Sequence, residues 1–335
     1  MMVEEELTKE ELERRAKVYR GVHDIDLEEY YTSGHRTCQG CESALVMRSF
    51  AKASGPNTVV TGATGCMYVA NTSYMSTPWA VPWMHTQLGA GGSSAVGMAA
   101  GLRALKNKGK LKKDIPHVIA FCGDLGGGDM GLGAISGALQ TDYDLLIIIY
   151  DNESAANTDI QATGLTTWGA QTTFTPTGSV HRIMQKRWKK NVIGMMAAGH
   201  PNVRYLATAC ATYPAGDYLN KVRKALAAGG PTLIHTIDPC TKGWDYHPRY
   251  TGLIGELAVK TGIFPDYEII NGKVYYTYDA RKKRVPVREY LEKQGRFSHF
   301  TEEDYEYVQS MVDEMWEDWE IPGVVPFRGD LKVAD

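Results

Sequence analysis

Two oxygen-bearing side chains and four thiols stand where they can do chemistry in this 335-residue chain. The apolar run His117–Cys122 ends in Gly123-Asp124, and the run Leu145–Tyr150 ends in Asp151-Asn152. A carboxylate and an amide oxygen are hard ligands that suit Mg²⁺ or Ca²⁺, and such a metal can bridge a diphosphate to protein. Gly-Asp and Asp-Asn are also ordinary strand-end turns, so on the dipeptides alone both readings stay open. Cys38-x-x-Cys41 by itself is compatible with zinc, an iron–sulfur cluster, a redox dithiol or no role. With Cys66 and Cys240 there are four soft thiolates, a set that suits a [4Fe–4S] cluster or Zn²⁺. Cys122 lies inside an apolar run and Cys210 follows one, so both are expected to be packed thiols.

The elements that must position these groups follow from the pattern around them. Residues 121–164 are expected to form a strand, a small-residue helix over Met130–Gln140 and a second strand. Asp124 and Asn152 are 28 residues apart, which suits one βαβ unit. A right-handed crossover brings both strand ends to the same sheet edge, so the two side chains can meet over one ligand. Further strands are expected at Asn57–Thr61, Val203–Ala209 and Thr232–Ile237. Helices are expected at Glu42–Ala53, Gly91–Leu105 and Ala215–Ala228. The alternation predicts an α/β fold, a largely parallel sheet with helices on both faces.

Outside that core, residues 4–19 suggest a charged surface helix with Thr8 and Glu11 at capping-box spacing. Trp79–Trp83 is expected to be a loop, and the basic stretch within 165–200 a loop plus a surface helix. Tyr267–Tyr278 predicts a hairpin around Asn271-Gly272. An acidic helix over Thr301–Glu320 carries Tyr305, Tyr307, Met315, Trp316 and Trp319, packed either on another chain or back on the core. The expected division is an arm (1–30), an α/β cofactor domain (31–245) and a partner-contacting C-terminal extension (246–335).

Composition narrows the function. Net charge is −3, which gives no global basic field for nucleic acid. There is no run of about 20 apolar residues to span a membrane. The N-terminal MMVEEELTKEELERR is unlike a signal or transit peptide, so a cytoplasmic protein with reduced cysteines is expected.

Gly123-Asp124, 27 intervening residues and Asn152 resemble the diphosphate-binding motif of thiamine-diphosphate enzymes. The resemblance implies that Asp124, Asn152 and the main-chain carbonyl of Ser154 hold Mg²⁺. It also implies that Gly123, Leu125, Asn157 and Thr158 lie against the cofactor. An ordered set is more specific: GHRTCQGC (34–41), TGC (64–66), PWMH (82–85), DMGLGAISGA (129–138), YDNESAANT (150–158) and DPCTKGW (238–244). Together they resemble the β subunit of 2-oxoacid:ferredoxin oxidoreductases, pyruvate type, over about residues 30–300.

That resemblance implies an oxidoreductase subunit performing CoA-dependent oxidative decarboxylation of a 2-oxo acid. Cys38, Cys41, Cys66 and Cys240 would carry a [4Fe–4S] cluster beside the thiamine, and electrons would pass to ferredoxin or another acceptor. An α subunit would supply the glutamate facing the pyrimidine ring, and further subunits would carry electrons onward. Asn157, His35 and His85 are candidate pocket residues, whereas His200 and His235 are expected to be structural.

Three positions depart from the family pattern. Leu125 stands where a glycine is usual. Glu42, in place of a glycine after the second cysteine, either puts a carboxylate near an anionic cluster and lowers its potential, or is an acid in the first turn of a helix. Ala155 replaces a bulky aromatic and opens room for a larger 2-oxo acid, even an arylglyoxylate. Two alternatives are a non-redox thiamine decarboxylase subunit with zinc or empty cysteines, and an electron-transfer or scaffold subunit without its own thiamine.

Overall fold

The computed structural model describes residues 7–72 and 76–317. Eight strands form where β-branched and aromatic runs occur among these residues: β1 (Thr58–Ala63), β2 (Trp83–Thr86), β3 (His117–Gly123), β4 (Leu145–Asp151), β5 (Tyr205–Cys210), β6 (Pro231–Ile237), β7 (Asp266–Ile270) and β8 (Lys273–Tyr278). They make one sheet in the order β2-β1-β3-β4-β6-β5-β7-β8. The first six are mutually parallel, and β7 and β8 add an antiparallel edge. The hairpin expected around Asn271-Gly272 is therefore part of the main sheet. Both residues have positive φ, as a tight two-residue connection requires.

The helices are α1 (Lys9–Ala16), α2 (Glu42–Ser54), α3 (Cys66–Ala70), α4 (Gly91–Asn107), α5 (Leu132–Leu139), α6 (Val192–Gly199), α7 (Asp217–Ala227), α8 (Thr251–Lys260), α9 (Arg288–Leu291) and α10 (Glu302–Met315). Every residue of β4 is buried, because helices cover both faces of the sheet. Successive side chains point to opposite faces. Phe121 and Ile148 thus join Phe50 of α2 and Tyr218 and Val222 of α7 in one apolar layer. Ile147 and Ile149 join Ala95 of α4, Ile135 of α5 and Ile193 of α6 in the other. A third cluster gathers Trp244, Ile254, Tyr290, Phe297, Val312 and Trp316. Among the described residues no helix is long and apolar enough to cross a membrane.

Several expectations need correction. Trp83 is not in a loop: PWMH supplies the parallel edge strand β2, pairing Val60 with Trp83 and Gly62 with His85. The basic stretch 181–190 is irregular, and the helix after it, α6, is apolar and largely buried. The chain leaves β3 not into a simple glycine turn but into a wide π-helical turn, Leu125–Asp129, before α5. The N-terminal helix runs Lys9–Ala16 with Thr8 as its cap, shorter than the expected 4–19, of which residues 4–6 lie outside the described residues. Thr8 caps it through the Glu11 amide, 3.2 Å. Glu11 itself turns to Arg14 and Arg15 instead of completing the box. The aromatic end of α10 packs back on the core: Trp316 is buried and its Nε1 donates to the Gly262 carbonyl, 2.8 Å. Trp319 lies outside the described residues.

One close approach fixes how the helices sit. At Gly92, in the first turn of α4, an added Cβ would run into the Ala134 carbonyl of α5. Backbone cannot swing aside as a side chain can. Gly92→Ala is therefore expected to lower stability by about 1–3 kcal/mol, the usual cost of overpacking. A urea midpoint equal to wild type would show that α4 and α5 do not approach this closely.

Candidate cofactor site at the carboxyl edge of the sheet

Chain order along the sheet reverses at β1, which has β2 on one side and β3 on the other. In open parallel sheets such a reversal leaves a crevice outside the carboxyl ends of the strands. The segments after β1, β3 and β4 meet there around a cavity of about 80 Å³, lined by Thr64, Cys66, Asp124, Asn152, Asn157 and Thr158 among others. Gly123, Leu125, Ser154 and Ala155 line it too, so every residue expected to touch a diphosphate or its metal is on this wall. A second cavity, about 560 Å³, is lined by Cys38, Cys41, Cys66 and Cys240. Cys66, Asn152, Ala156 and Asn157 line both cavities.

The oxygen donors have distinct surroundings. Asp124 is buried, and the Thr163 hydroxyl donates to its Oδ2, 2.8 Å. Burial first, then the nearby Asp151 charge, pushes the Asp124 carboxyl well above the usual range. The Ser154 carbonyl accepts from the Ala156 amide, 2.7 Å, which leaves its second lone pair for a ligand. Asp129 is not at the wall: it ties Lys190 and the Gly164 amide to the turn after β3.

Glu153, between Asn152 and Ser154, points the other way and is fully buried. Its backbone is left-handed, φ 58°, unusual for a residue with a side chain. Two cations meet its carboxylate, Lys189 at 3.0 Å and Arg296 at 2.7 Å. The Thr167 hydroxyl adds a hydrogen bond of 2.8 Å, and the Thr166 hydroxyl donates to the Glu153 carbonyl, 2.7 Å. Burial works to raise the Glu153 pKa, but Lys189 and Arg296 outweigh it and hold it at about 2.

The thiols are gathered from three segments. The Cys41 amide bonds the Cys38 carbonyl, closing the Cys-x-x-Cys turn, 3.2 Å. Gly40 in that turn has φ +71° and lies against the backbone of Pro248, so no side chain fits there. Thr241, beside Cys240, donates to the Gln39 carbonyl, 3.2 Å. Burial pushes the Cys41 thiol up to about 12, and raises Cys66 and Cys240 as well. Among the described residues no three His, Cys, Asp or Glu side chains converge on one point as ligands of a single metal ion do. The four cysteines are among the residues lining the larger cavity.

The Cys240 loop is fastened to the Asn152 loop. The Asp238 amide donates to the Asp151 carbonyl, 2.7 Å, and Trp244 Nε1 to the Asn152 carbonyl, 2.8 Å. His235 sits against Asp151, 2.9 Å. Glu42 is buried and turned toward Thr212, whose amide lies 3.1 Å from Oε1. Burial raises its pKa to about 7. His85 reaches the small cavity only through the Thr64 hydroxyl, 2.9 Å. His35 lines neither cavity: it stacks on Tyr31 and bonds Thr37. Sequence reasoning did not single out Thr163 or Arg296, since nothing local marks them, and it read Lys189 only as one of a basic surface stretch. Trp244 and Glu153 stood inside quoted motifs without an assigned role.

Fold and site together define a thiamine pyrophosphate enzyme, and residues 63–236 match the family model for the C-terminal TPP binding domain of such enzymes. The chain is 46% identical over 288 residues to pyruvate synthase subunit PorB of Methanocaldococcus jannaschii, covering 86% of this chain and 95% of that protein. It is 37% identical over 294 residues to ketoisovalerate oxidoreductase subunit VorB of Pyrococcus horikoshii, covering 88% and 93%. A 2-oxoglutarate:ferredoxin oxidoreductase from Magnetococcus marinus shares the fold, with TM-score 0.53 and 16% identity over 67% of this chain and 72% of that one. The chain belongs to the β subunits of the 2-oxoacid:ferredoxin oxidoreductase family.

The Glu153 network sets a pH dependence. Its folded pKa is depressed from 4.5 to about 2, so its contribution is complete above pH 4.5 and lost as pH falls toward 2. In urea titrations, Glu153→Gln should be less stable than wild type at pH 7, with the difference shrinking below about pH 4.5. A difference that stays constant down to pH 3 would show that the carboxylate is not held by its two cations.

Proposed function

We propose that this subunit holds the diphosphate end of thiamine diphosphate through Mg²⁺ and carries a [4Fe–4S] cluster next to it. With its partners it would catalyse CoA-dependent oxidative decarboxylation of a 2-oxo acid, pyruvate foremost. One observation supports this above others: the oxygen-lined cavity and the thiol-lined cavity share Cys66, Asn152, Ala156 and Asn157 as a common wall. A buried acid with a neutral hydrogen-bond partner suits a cation. Four thiols on a wall shared with the oxygen-lined cavity suit a cluster, which gains an electron source from that location, whereas a structural zinc gains nothing from it.

Thiamine diphosphate supplies the electron sink for decarboxylation, and the cluster supplies a one-electron outlet. The chain's own residues do the rest. Asp124, Asn152 and the Ser154 carbonyl would hold the metal. Gly123 ends β3 and Leu125 opens the turn that follows it. Asn157 and Thr158 would orient the diphosphate, and Asn157 is also near enough to the cluster wall to face substrate. The Gly243 amide already lies 3.3 Å from the Cys240 sulfur, and would donate to its thiolate.

The small cavity has about 80 Å³, well below the roughly 300–1,000 Å³ of a complete small-molecule site. This supports an active site shared with an α subunit that contributes the pyrimidine-side glutamate. Further subunits would take electrons to ferredoxin or another acceptor. Coenzyme A is proposed as acyl acceptor, and the 2-oxoglutarate relative is described with coenzyme A bound. Pyruvate is favoured by the 46% identity to a pyruvate synthase subunit. Ala155 on the cavity wall leaves room for a bulkier side chain, so 2-oxobutyrate, branched 2-oxo acids and phenylglyoxylate belong in the assay.

The test uses the complex purified anaerobically with its partners. Asp124→Ala is expected to keep iron and sulfide at wild-type levels and to lose Mg²⁺-dependent thiamine-diphosphate binding. Cys66→Ala is expected to lose the visible cluster absorption and iron. Thiamine binding unchanged in Asp124→Ala would refute the cofactor assignment. Zinc in place of iron in the wild type would favour a non-redox decarboxylase subunit. In substrate assays, turnover of pyruvate alone would leave Ala155 without a role in specificity.

A further inference from the structure

Arg296 lies outside the matched domain, in a short turn before α10, yet it touches the supports of both sites. It is 4% exposed. One side of its guanidinium group pairs with the Glu153 carboxylate, 2.7 Å. Its guanidinium carbon lies over the Trp244 ring, 4.1 Å from the centroid. Glu153 separates Asn152 from Ser154 and holds the left-handed bend that sets where their oxygens point. Trp244 closes the Cys240 loop, its amide bonded to the Cys240 carbonyl, 2.9 Å, while its Nε1 reaches the Asn152 carbonyl. Gln294 fixes the guanidinium from behind, accepting from Nε at 2.9 Å, and the Arg296 carbonyl takes the Gln171 amide at 3.0 Å.

We infer that Arg296 is a positioning residue that locks the metal loop and the Cys240 loop into one rigid unit, so that thiamine-diphosphate affinity and the cluster's electronic environment depend on a single side chain. The inference rests on the function proposed above. A planar fork that pairs with an acid on its edge and stacks on an aromatic with its face is specific to arginine. Lysine reproduces the charge and not the stacked plane. The two contacts are therefore separable by substitution.

The experiment compares Arg296→Lys and Arg296→Met with wild type in the assembled complex. Three readouts are taken: the Kd for Mg²⁺–thiamine diphosphate after cofactor removal, the EPR spectrum of the reduced cluster, and the thermal midpoint. Arg296→Met should weaken cofactor affinity by about tenfold or more, in the range seen when a ligand's supporting partner is lost, and should shift the EPR line shape. Arg296→Lys should shift the EPR line shape similarly while weakening affinity less, because the Glu153 pair survives. Arg288→Ala, a surface ion pair in the same C-terminal segment, should change neither. Lower thermal midpoints with wild-type Kd and EPR would make Arg296 merely structural and overturn the inference. Movement of Kd alone, with an unchanged cluster spectrum in both variants, would overturn the coupling. Should Arg296→Met fail to assemble, Arg296→Lys decides on the same terms. A wild-type complex without iron or thiamine binding would instead overturn the underlying functional reading.

Discussion

A carboxylate shut away from water holds this site together. Burying Glu153 alone would cost several kcal/mol, and a left-handed backbone at a residue with a side chain adds of order 1–3 kcal/mol. Neither persists unless the surroundings compensate. Lys189 and Arg296 supply the charge, and Thr166 and Thr167 supply the remaining hydrogen bonds. The outcome is a bend in which consecutive residues face opposite ways: Glu153 inward to its cations, Asn152 and Ser154 outward to the cavity. A flexible turn at this position would have to be ordered by whatever it binds. This one is ordered by an ion-pair network behind it.

The parallel sheet determines what that bend can meet. All six parallel strands end on one edge, so segments far apart in sequence arrive together: the turn after β1 with Cys66, the turn after β3 with Asp124, the loop after β4 with Asn152, and the loop after β6 with Cys240. Cys38 and Cys41 come from the segment before α2 and are tied in through Thr241 and Gly40. The helices contribute by closeness, since Gly92 lets α4 lie against the backbone of α5. The oxygen-lined and thiol-lined cavities are neighbours because neighbouring strands feed them.

Much of this was legible in the chain itself. β3, β4 and β6 are unbroken apolar runs, and residues after such runs must gather at one edge once the connections are helical. The Asp124 and Asn152 pair and the four thiols could therefore be named together, and they do line adjoining cavities. What stayed hidden is long-range or backbone-encoded. Arg296 is 143 residues from Glu153, and no periodicity marks it as the partner of an acid in YDNES. The left-handed φ of Glu153 has no glycine to announce it. PWMH is broken by proline, which hides a strand that needs only four residues at a sheet edge. The basic run at 181–190 invited a surface helix, whereas two of its lysines are spent on Glu153 and Asp129. Of the two readings of Glu42, the structure shows the acid in the first turn of α2, turned to Thr212.

The joint use of the two cavities is tested most directly by following the cluster spectrum of the anaerobic complex as pyruvate is added, with and without thiamine diphosphate and Mg²⁺. If this subunit carries both groups in contact, pyruvate bleaches the iron–sulfur absorption only when thiamine diphosphate and Mg²⁺ are present. Bleaching that needs no thiamine diphosphate, or a loaded complex that decarboxylates pyruvate with no change at the cluster, would contradict it.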